Sequence, residues 1–200
     1  ATIRRISLGD RFVRAGSWLN GPLPFARKVG GKTMGILGYG RIGKAIAKRA
    51  EAFGMRIVYH GRKPQVDVTH KYYAKLVDMA LDCDVLMVIC PGGAATQRIV
   101  NAEVLQALGP EGTLINVARG SVVDEQALVK ALADGSLGAA GLDVFESEPQ
   151  VPEALLAMDQ VVLQPHLGSA THATRKAMGD LTVDNLRAHF AGKPVLTPVG

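Results

Sequence analysis

The sequence predicts an α/β protein built on a doubly wound parallel sheet with helices on both faces. Three observations carry this. Short β-branched runs alternate with segments of helical period, the order that β-α-β units produce. Several of the runs lack in/out alternation, as strands do when helices cover both faces of their sheet. A glycine-rich turn, Gly38-Tyr39-Gly40-Arg41-Ile42-Gly43, stands directly between the first run and the first helical segment.

Residues 1–31 stand outside the alternation. They hold an amphipathic start (Ile3, Ile6, Phe12, Val13) and then a Gly/Pro-containing stretch from Gly16 to Gly31. The first strand is expected at Thr33–Leu37, and the helix after the turn carries an apolar stripe of Ile42, Ile46, Ala50 and Phe53. Further strands are expected at Arg56–Tyr59, Val85–Ile89, Thr113–Val117, Ala139–Leu142 and Gln160–Leu163. Asn101 is a candidate N-cap for a helix carrying Val104, Leu105 and Leu108. Asp124 is another, for a helix in which Ala127, Leu128, Ala131 and Leu132 repeat, with Gly135 just past its end. Residues 171–191 read as one long helix, with Met178, Leu181, Leu186 and Phe190 on one half of its wheel. Lys176, Asp180, Asp184 and Arg187 cluster opposite. The expected organisation is therefore 1–31, a dinucleotide-binding domain over 32–170, and a C-terminal helix within 171–200.

A chain of 200 residues can bury a core without covalent staples. With 48% hydrophobic and 20% charged residues, it is neither disordered nor collagen-like nor a coiled coil. Its net charge of +5 is scattered without a polybasic run, and only 5% of residues are aromatic. That argues against a nucleic-acid partner and suits an anionic small molecule. Cys83 and Cys90 form no spaced framework and read as reduced thiols in a reducing cytoplasm; no Cys or His spacing suggests a metal. No apolar run approaches the roughly 18 residues needed to span a membrane. The N-terminal Ala1-Thr2-Ile3-Arg4-Arg5 has no initiator Met or signal-peptide pattern and reads like the middle of a chain.

The turn at Gly38–Gly43 matches the dinucleotide fingerprint G-x-G-x-x-G in its proper setting, after a strand and opening a helix. Gly38 permits the tight turn, Gly40 lets backbone approach a pyrophosphate, and Gly43 lets helix and strand pack closely. The helix start at Arg41 and Ile42 favours phosphate charge. An NAD-preferring site carries Asp or Glu about 20 residues further on, to accept from the ribose 2′-hydroxyl. Here the stretch is Tyr59-His60-Gly61-Arg62-Lys63, without a carboxylate. Arg62 and Lys63, with His60 as a further donor, suit a 2′-phosphate, so NADP(H) is expected in preference to NAD(H).

Three polar groups follow three late strands: Arg119, Glu148 and His166. Each alone has a bland reading as a solvated or turn residue. Together, beyond the carboxyl ends of the sheet, they suit hydride transfer to a 2-keto acid. A guanidinium can clamp the substrate carboxylate and carbonyl through paired donors. An imidazolium can protonate the nascent alkoxide, and a carboxylate against it raises its pKa.

With these residues in place the chain resembles the D-isomer-specific 2-hydroxyacid dehydrogenases, in particular their glyoxylate/hydroxypyruvate reductase branch. The resemblance is carried by Gly38–Gly43, by Asn116-Val117-Ala118-Arg119-Gly120-Ser121-Val122-Val123-Asp124, and by Gly141-Leu142-Asp143-Val144-Phe145 with Glu148-Pro149. Pro165-His166-Leu167-Gly168-Ser169-Ala170-Thr171 completes it. It implies a Rossmann-type fold and a catalytic trio of Arg119, Glu148 and His166. It places Asp143 near the nicotinamide carboxamide, with Cys90-Pro91 and Val117-Ala118 lining the cofactor groove and Gly168 and Ser169 among the cofactor contacts. The family's usual Leu-Thr-Pro after such a proline is Gly92-Gly93-Ala94 here, with Thr96 left to serve in that loop. The resemblance further implies a homodimer using Gly16–Lys28, a 2-keto acid substrate (glyoxylate or hydroxypyruvate), and a C-terminal helix crossing to a substrate lobe absent from these residues. On that account the chain binds cofactor without full activity. Two alternatives stand beside it: a nucleotide-sensing binding protein akin to transcriptional corepressors of the same fold, and a different Rossmann dehydrogenase.

Overall fold

The computed structural model describes residues 1–198. The chain divides into two compact units, Ala1–Pro165 and His166–Gly200. The division falls five residues ahead of the expected boundary at 170; just before it, Gln164 N–H donates to the Leu142 carbonyl at the end of the sheet, 2.8 Å. Residues 1–31 belong to the first unit.

In the first unit, seven strands among the described residues form one parallel sheet. These are β1 (Thr33–Leu37), β2 (Arg56–His60), β3 (Lys71–Tyr73), β4 (Val85–Val88), β5 (Thr113–Asn116), β6 (Ala139–Leu142) and β7 (Val161–Leu163). Their order is β3-β2-β1-β4-β5-β6-β7, so the winding reverses beside β1. The helices are α1 (Ile6–Arg14), α2 (Arg41–Ala52), α3 (Leu76–Asp82), α4 (Ala102–Leu108), α5 (Glu125–Ala133) and α6 (Glu153–Leu156). Every residue of β1 and β6 is buried. Successive side chains enter opposite layers: Ile36, Ile57, Tyr59 and Val85 join the core with Ala47 and Ala50 of α2. Leu37, Val58, Leu86 and Val88 join the other, with Leu105 of α4 and Leu128 of α5. Both faces are apolar, which is why the alternation is invisible in sequence.

The register aligns the carboxyl ends of the strands in one row. Tyr73 pairs with His60, His60 with Leu37, Leu37 with Val88, Val88 with Asn116, Asn116 with Leu142, and Leu142 with Leu163. Every loop that follows therefore leaves from the same edge. Ile89 and Val117, expected within strands, lie just beyond this row; each donates a last hydrogen bond across it, to Leu37 and Val88.

The caps read from sequence form. Asn101 Oδ1 accepts from Val104 N–H and Asp124 Oδ1 from Ala127 N–H, each at 3.1 Å. Gly135 has φ +76° just after α5, the left-handed conformation that glycine adopts without strain. The expected face of α2 is corrected. Gly43, Ala47 and Ala50 are its buried residues, while Ile42 and Phe53 are 62% and 70% exposed. Small side chains let this helix approach the sheet closely, so the larger ones turn to its flank. Strand β3 has no counterpart in the sequence reading.

The second unit holds α7 (His172–Phe190), capped by Thr171, whose hydroxyl accepts from Thr174 N–H. None of its residues is buried; Met178, Leu181, Leu186 and Phe190 are all exposed. Asn185 ties the following chain by accepting from Thr197 N–H at 3.1 Å. Residues 199 and 200 of the expected 171–200 stretch lie outside the described residues. Among the described residues no helix is long and apolar enough to cross a membrane.

Candidate dinucleotide site

The fingerprint turn begins where β1 ends, at the reversal of strand order. Gly38 has φ +100°, and a Cβ there would lie 2.6 Å from the Cys90 backbone N and Cα. The turns after β1 and β4 therefore touch, and only glycine fits. A Cβ on Gly43 would meet the Gly38 carbonyl oxygen at 2.4 Å. A Cβ on Gly40 would meet nothing within 4 Å. The three glycines thus differ: two are demanded by packing and the third faces open space. Gly40 is also the N-cap of α2, and no side chain caps that helix. Uncapped N–H donors and the helix dipole beside a cleared surface fit a pyrophosphate.

Beyond β2 the chain turns through Gly61-Arg62-Lys63. Both basic side chains are exposed, and among the described residues neither has an ion-pair partner. His60 is tied back: its Nδ1 donates to the Tyr73 carbonyl at 2.8 Å, leaving only Nε2 for a ligand. The turn's ends are held as well. Tyr72 Oη donates to the Gly61 carbonyl at 3.2 Å, and Gln65 N–H donates to Tyr59 Oη at 2.9 Å.

After β4, Cys90 is buried within the core and presents backbone, not thiol, to Gly38; burial raises its pKa. Pro91 is exposed, and Thr96 closes its own loop by donating to the Pro91 carbonyl at 2.7 Å. That hydroxyl proton is committed within the loop. Gly92 packs on the stem of Arg119, where a Cβ would lie 2.9 Å from Cγ.

Arg119 stands three residues past the end of β5, and a buried amide shapes its turn. Asn116, 1% exposed, accepts from Ala118 N–H and donates to the Arg119 carbonyl, both at 3.1 Å. Sequence reading treats Asn116 only as part of a motif; the signal was a polar residue closing an otherwise apolar strand. Arg119 Nη1 donates to the Ala118 carbonyl at 2.6 Å, which aligns the guanidinium along the turn. Val117 is partly exposed and Ala118 buried. Asp143 leaves β6 with its N–H on the Asn116 carbonyl, 3.0 Å. Glu148 Oε1 accepts from Phe145 N–H at 3.1 Å, folding the carboxylate back over the loop after β6. Gly120 is a second requirement missed in sequence: a Cβ there would lie 2.0 Å from the Phe145 carbonyl. The loops carrying Arg119 and Glu148 are pressed together at that point.

His166, Gly168 and Ser169 belong to the second unit. His166 has φ +55°, a left-handed conformation that is strained for a residue with a Cβ. Such outliers cluster at functional sites. Among the described residues no group of three or more His, Cys, Asp or Glu is placed to hold a metal.

The sheet reversal, the glycine turn and the uncapped helix together define a Rossmann-type dinucleotide-binding domain. The chain belongs to the D-isomer specific 2-hydroxyacid dehydrogenase family, its residues 1–168 matching that family's NAD binding domain. It is 54% identical over 199 residues to glyoxylate/hydroxypyruvate reductase A HPR2 of Arabidopsis thaliana, covering all of this chain and 64% of that protein. It is 52% identical to the hydroxyphenylpyruvate reductase of Plectranthus scutellarioides, with the same shares covered. In structure it is similar to the NADPH-dependent glyoxylate/hydroxypyruvate reductase of Sinorhizobium meliloti in complex with NADP and malonate. That match has a TM-score of 0.95 and 52% identity, covering all of this chain and 63% of that one. The chain thus spans less than two thirds of the length of these relatives.

Proposed function

We propose that the chain is the cofactor-binding part of an NADPH-dependent reductase of small 2-keto acids, with glyoxylate or hydroxypyruvate as substrate. The observation that supports this most is the single row of strand ends, which sends the fingerprint turn, the basic turn at 61–63 and the Arg119 turn out from one edge. Bound NADPH would supply the hydride. The α2 N-terminus would hold its pyrophosphate, and Arg62 and Lys63 its 2′-phosphate. Asp143 would serve the carboxamide end, and Cys90-Pro91 and Val117-Ala118 would line the groove. Arg119 binds the substrate carboxylate and orients its carbonyl. In this reading His166 would give its proton to the keto oxygen, with Glu148 as its acid/base partner. Residues 16–28 serve a homodimer; Trp18, Leu19 and Phe25 are 67%, 93% and 101% exposed there.

Steady-state reduction by the intact protein tests this, with glyoxylate, hydroxypyruvate and bulkier 2-keto acids against each cofactor. The expected result is turnover of a small 2-keto acid with NADPH favoured by about one to two decades, the worth of one charge-assisted contact. The double change Gly61→Asp with Arg62→Ala should reverse that preference by supplying an acceptor and removing a donor. Equal use of NADH and NADPH by the unaltered protein would refute the reading of the basic turn.

A further inference from the structure

We propose that Gln65 and Tyr72 are positioning residues that fix the basic turn, and that they set the preference for the phosphorylated cofactor without touching it. The proposal rests on the assignment of Arg62 and Lys63 to the 2′-phosphate. Three hydrogen bonds bracket residues 62–64. Tyr72 Oη holds the Gly61 carbonyl on one side, and Tyr59 Oη holds Gln65 N–H on the other. The third comes from the Gln65 side chain, whose Nε2 donates to the Tyr39 carbonyl at 2.6 Å.

Two of the anchoring tyrosines are buried. Tyr59 is 1% and Tyr39 5% exposed. Their ring centroids lie 4.6 Å apart, and Tyr59 lies 5.4 Å from Tyr72, so the rings form a continuous ladder. Tyr39 is the residue between the first two glycines of the fingerprint. The Gln65 amide therefore ties the turn that would meet the 2′-phosphate to the turn that would meet the pyrophosphate. One ligand carries both groups at a set separation, and a tie of this kind holds their two receptors at a set separation. Arg62 and Lys63 are long, exposed side chains, and ordering them on binding opposes affinity. A turn fixed at both ends lowers that opposition only for a ligand that uses them. NADH makes no such use.

Direct titration by calorimetry tests this with 2′,5′-ADP and 5′-ADP, which differ by the phosphate at issue. Gln65→Ala and Tyr72→Phe are each expected to weaken 2′,5′-ADP by about fivefold and to leave 5′-ADP within about twofold. In a double-mutant cycle, Gln65→Ala added to Arg62→Ala with Lys63→Ala should cost no further affinity, because the turn then has nothing to present. Equal losses for both ligands would show a merely structural role and overturn the proposal. So would unchanged affinities in Tyr72→Phe, which removes one hydroxyl and leaves the ring in place. If the unaltered chain binds 2′,5′-ADP no better than 5′-ADP, the basic-turn assignment falls and this proposal with it. If it binds better and the variants keep the difference, only this proposal falls.

Discussion

Gly40 and Gly43 stand three residues apart in one turn, and alanine at each should separate ligand binding from folding. At Gly40 the new methyl group meets no neighbour, so the melting temperature should hold while nucleotide affinity drops. At Gly43 it meets a carbonyl oxygen at 2.4 Å, and overpacking of that kind costs about 1–3 kcal/mol or more. Thermal melts and nucleotide titrations of both variants check this; loss of stability in Gly40→Ala would contradict the open space beside it. For the intact protein, Arg119→Ala and His166→Ala should lower kcat/KM by about 10²–10⁴-fold with cofactor affinity nearly unchanged. Near-normal reduction of every accepted 2-keto acid by His166→Ala would remove it from the chemistry. Asn116→Ala should copy part of the Arg119→Ala loss, since the buried amide holds both Ala118 and Arg119.

Cys83 directly follows helix α3, and burial pushes its thiol up to about 12 from an ordinary 9.0. A raised folded pKa gives stability that is whole below about 9 and is lost as pH rises toward 12, because the unfolded thiol ionises first. At pH 10 the loss from this group approaches about 1.4 kcal/mol. Thermal melts from pH 7 to 10.5 should show a shallower alkaline decline in Cys83→Ala than in the unaltered chain. Asp84 has the opposite sign. Burial alone would raise its carboxyl, but hydrogen bonds from Lys32 and from Thr33 N–H outweigh this and hold it low. The longer elements were legible in sequence because their signals are local: Asn101 and Asp124 cap the helices they precede, and the fingerprint marks both a strand end and a helix start. Two features were not. Strand β3 is three residues long and half exposed, too short to show a pattern, and it is held by its edge pairing and by the Tyr73 hydroxyl on Asp82. The buried face of α2 was misjudged because size is read as core, whereas close approach to β1 selects Gly43, Ala47 and Ala50. The residue types of the candidate site can be written down in order from the sequence alone. What holds them, Asn116 under Arg119 and Gln65 under the basic turn, depends on side chains meeting across the fold, which a linear pattern does not display.

The first unit is stabilised by two apolar layers separated by one sheet, and the layers share every central strand. Loss of a central side chain is therefore felt by the whole unit. Leu86, fully buried in β4, should cost about 2–5 kcal/mol as Leu86→Ala. Denaturant melts followed by circular dichroism check this, and a single unchanged slope would show that the unit still unfolds cooperatively.

The strand order has a consequence for how the chain reaches this state. Strand β1 lies between β2, the next strand in the chain, and the more distant β4, so Met34 can meet Val85 only after the intervening chain is in place. Each further strand adds at the β7 side in chain order. Parallel pairings of this kind close long loops before any contact offsets the lost entropy, so refolding should be slow for the unit's size. The step that joins β1 to β4 is the natural bottleneck, and it also brings the Gly38 turn against Cys90. Stopped-flow refolding should then give Leu86→Ala a φ-value above about 0.5 and Val161→Ala, on the last strand, one near zero. The reverse ranking would mean that folding begins at the β7 edge. In the expected order, the turn that would receive the pyrophosphate takes its native shape at the moment the chain commits to its fold.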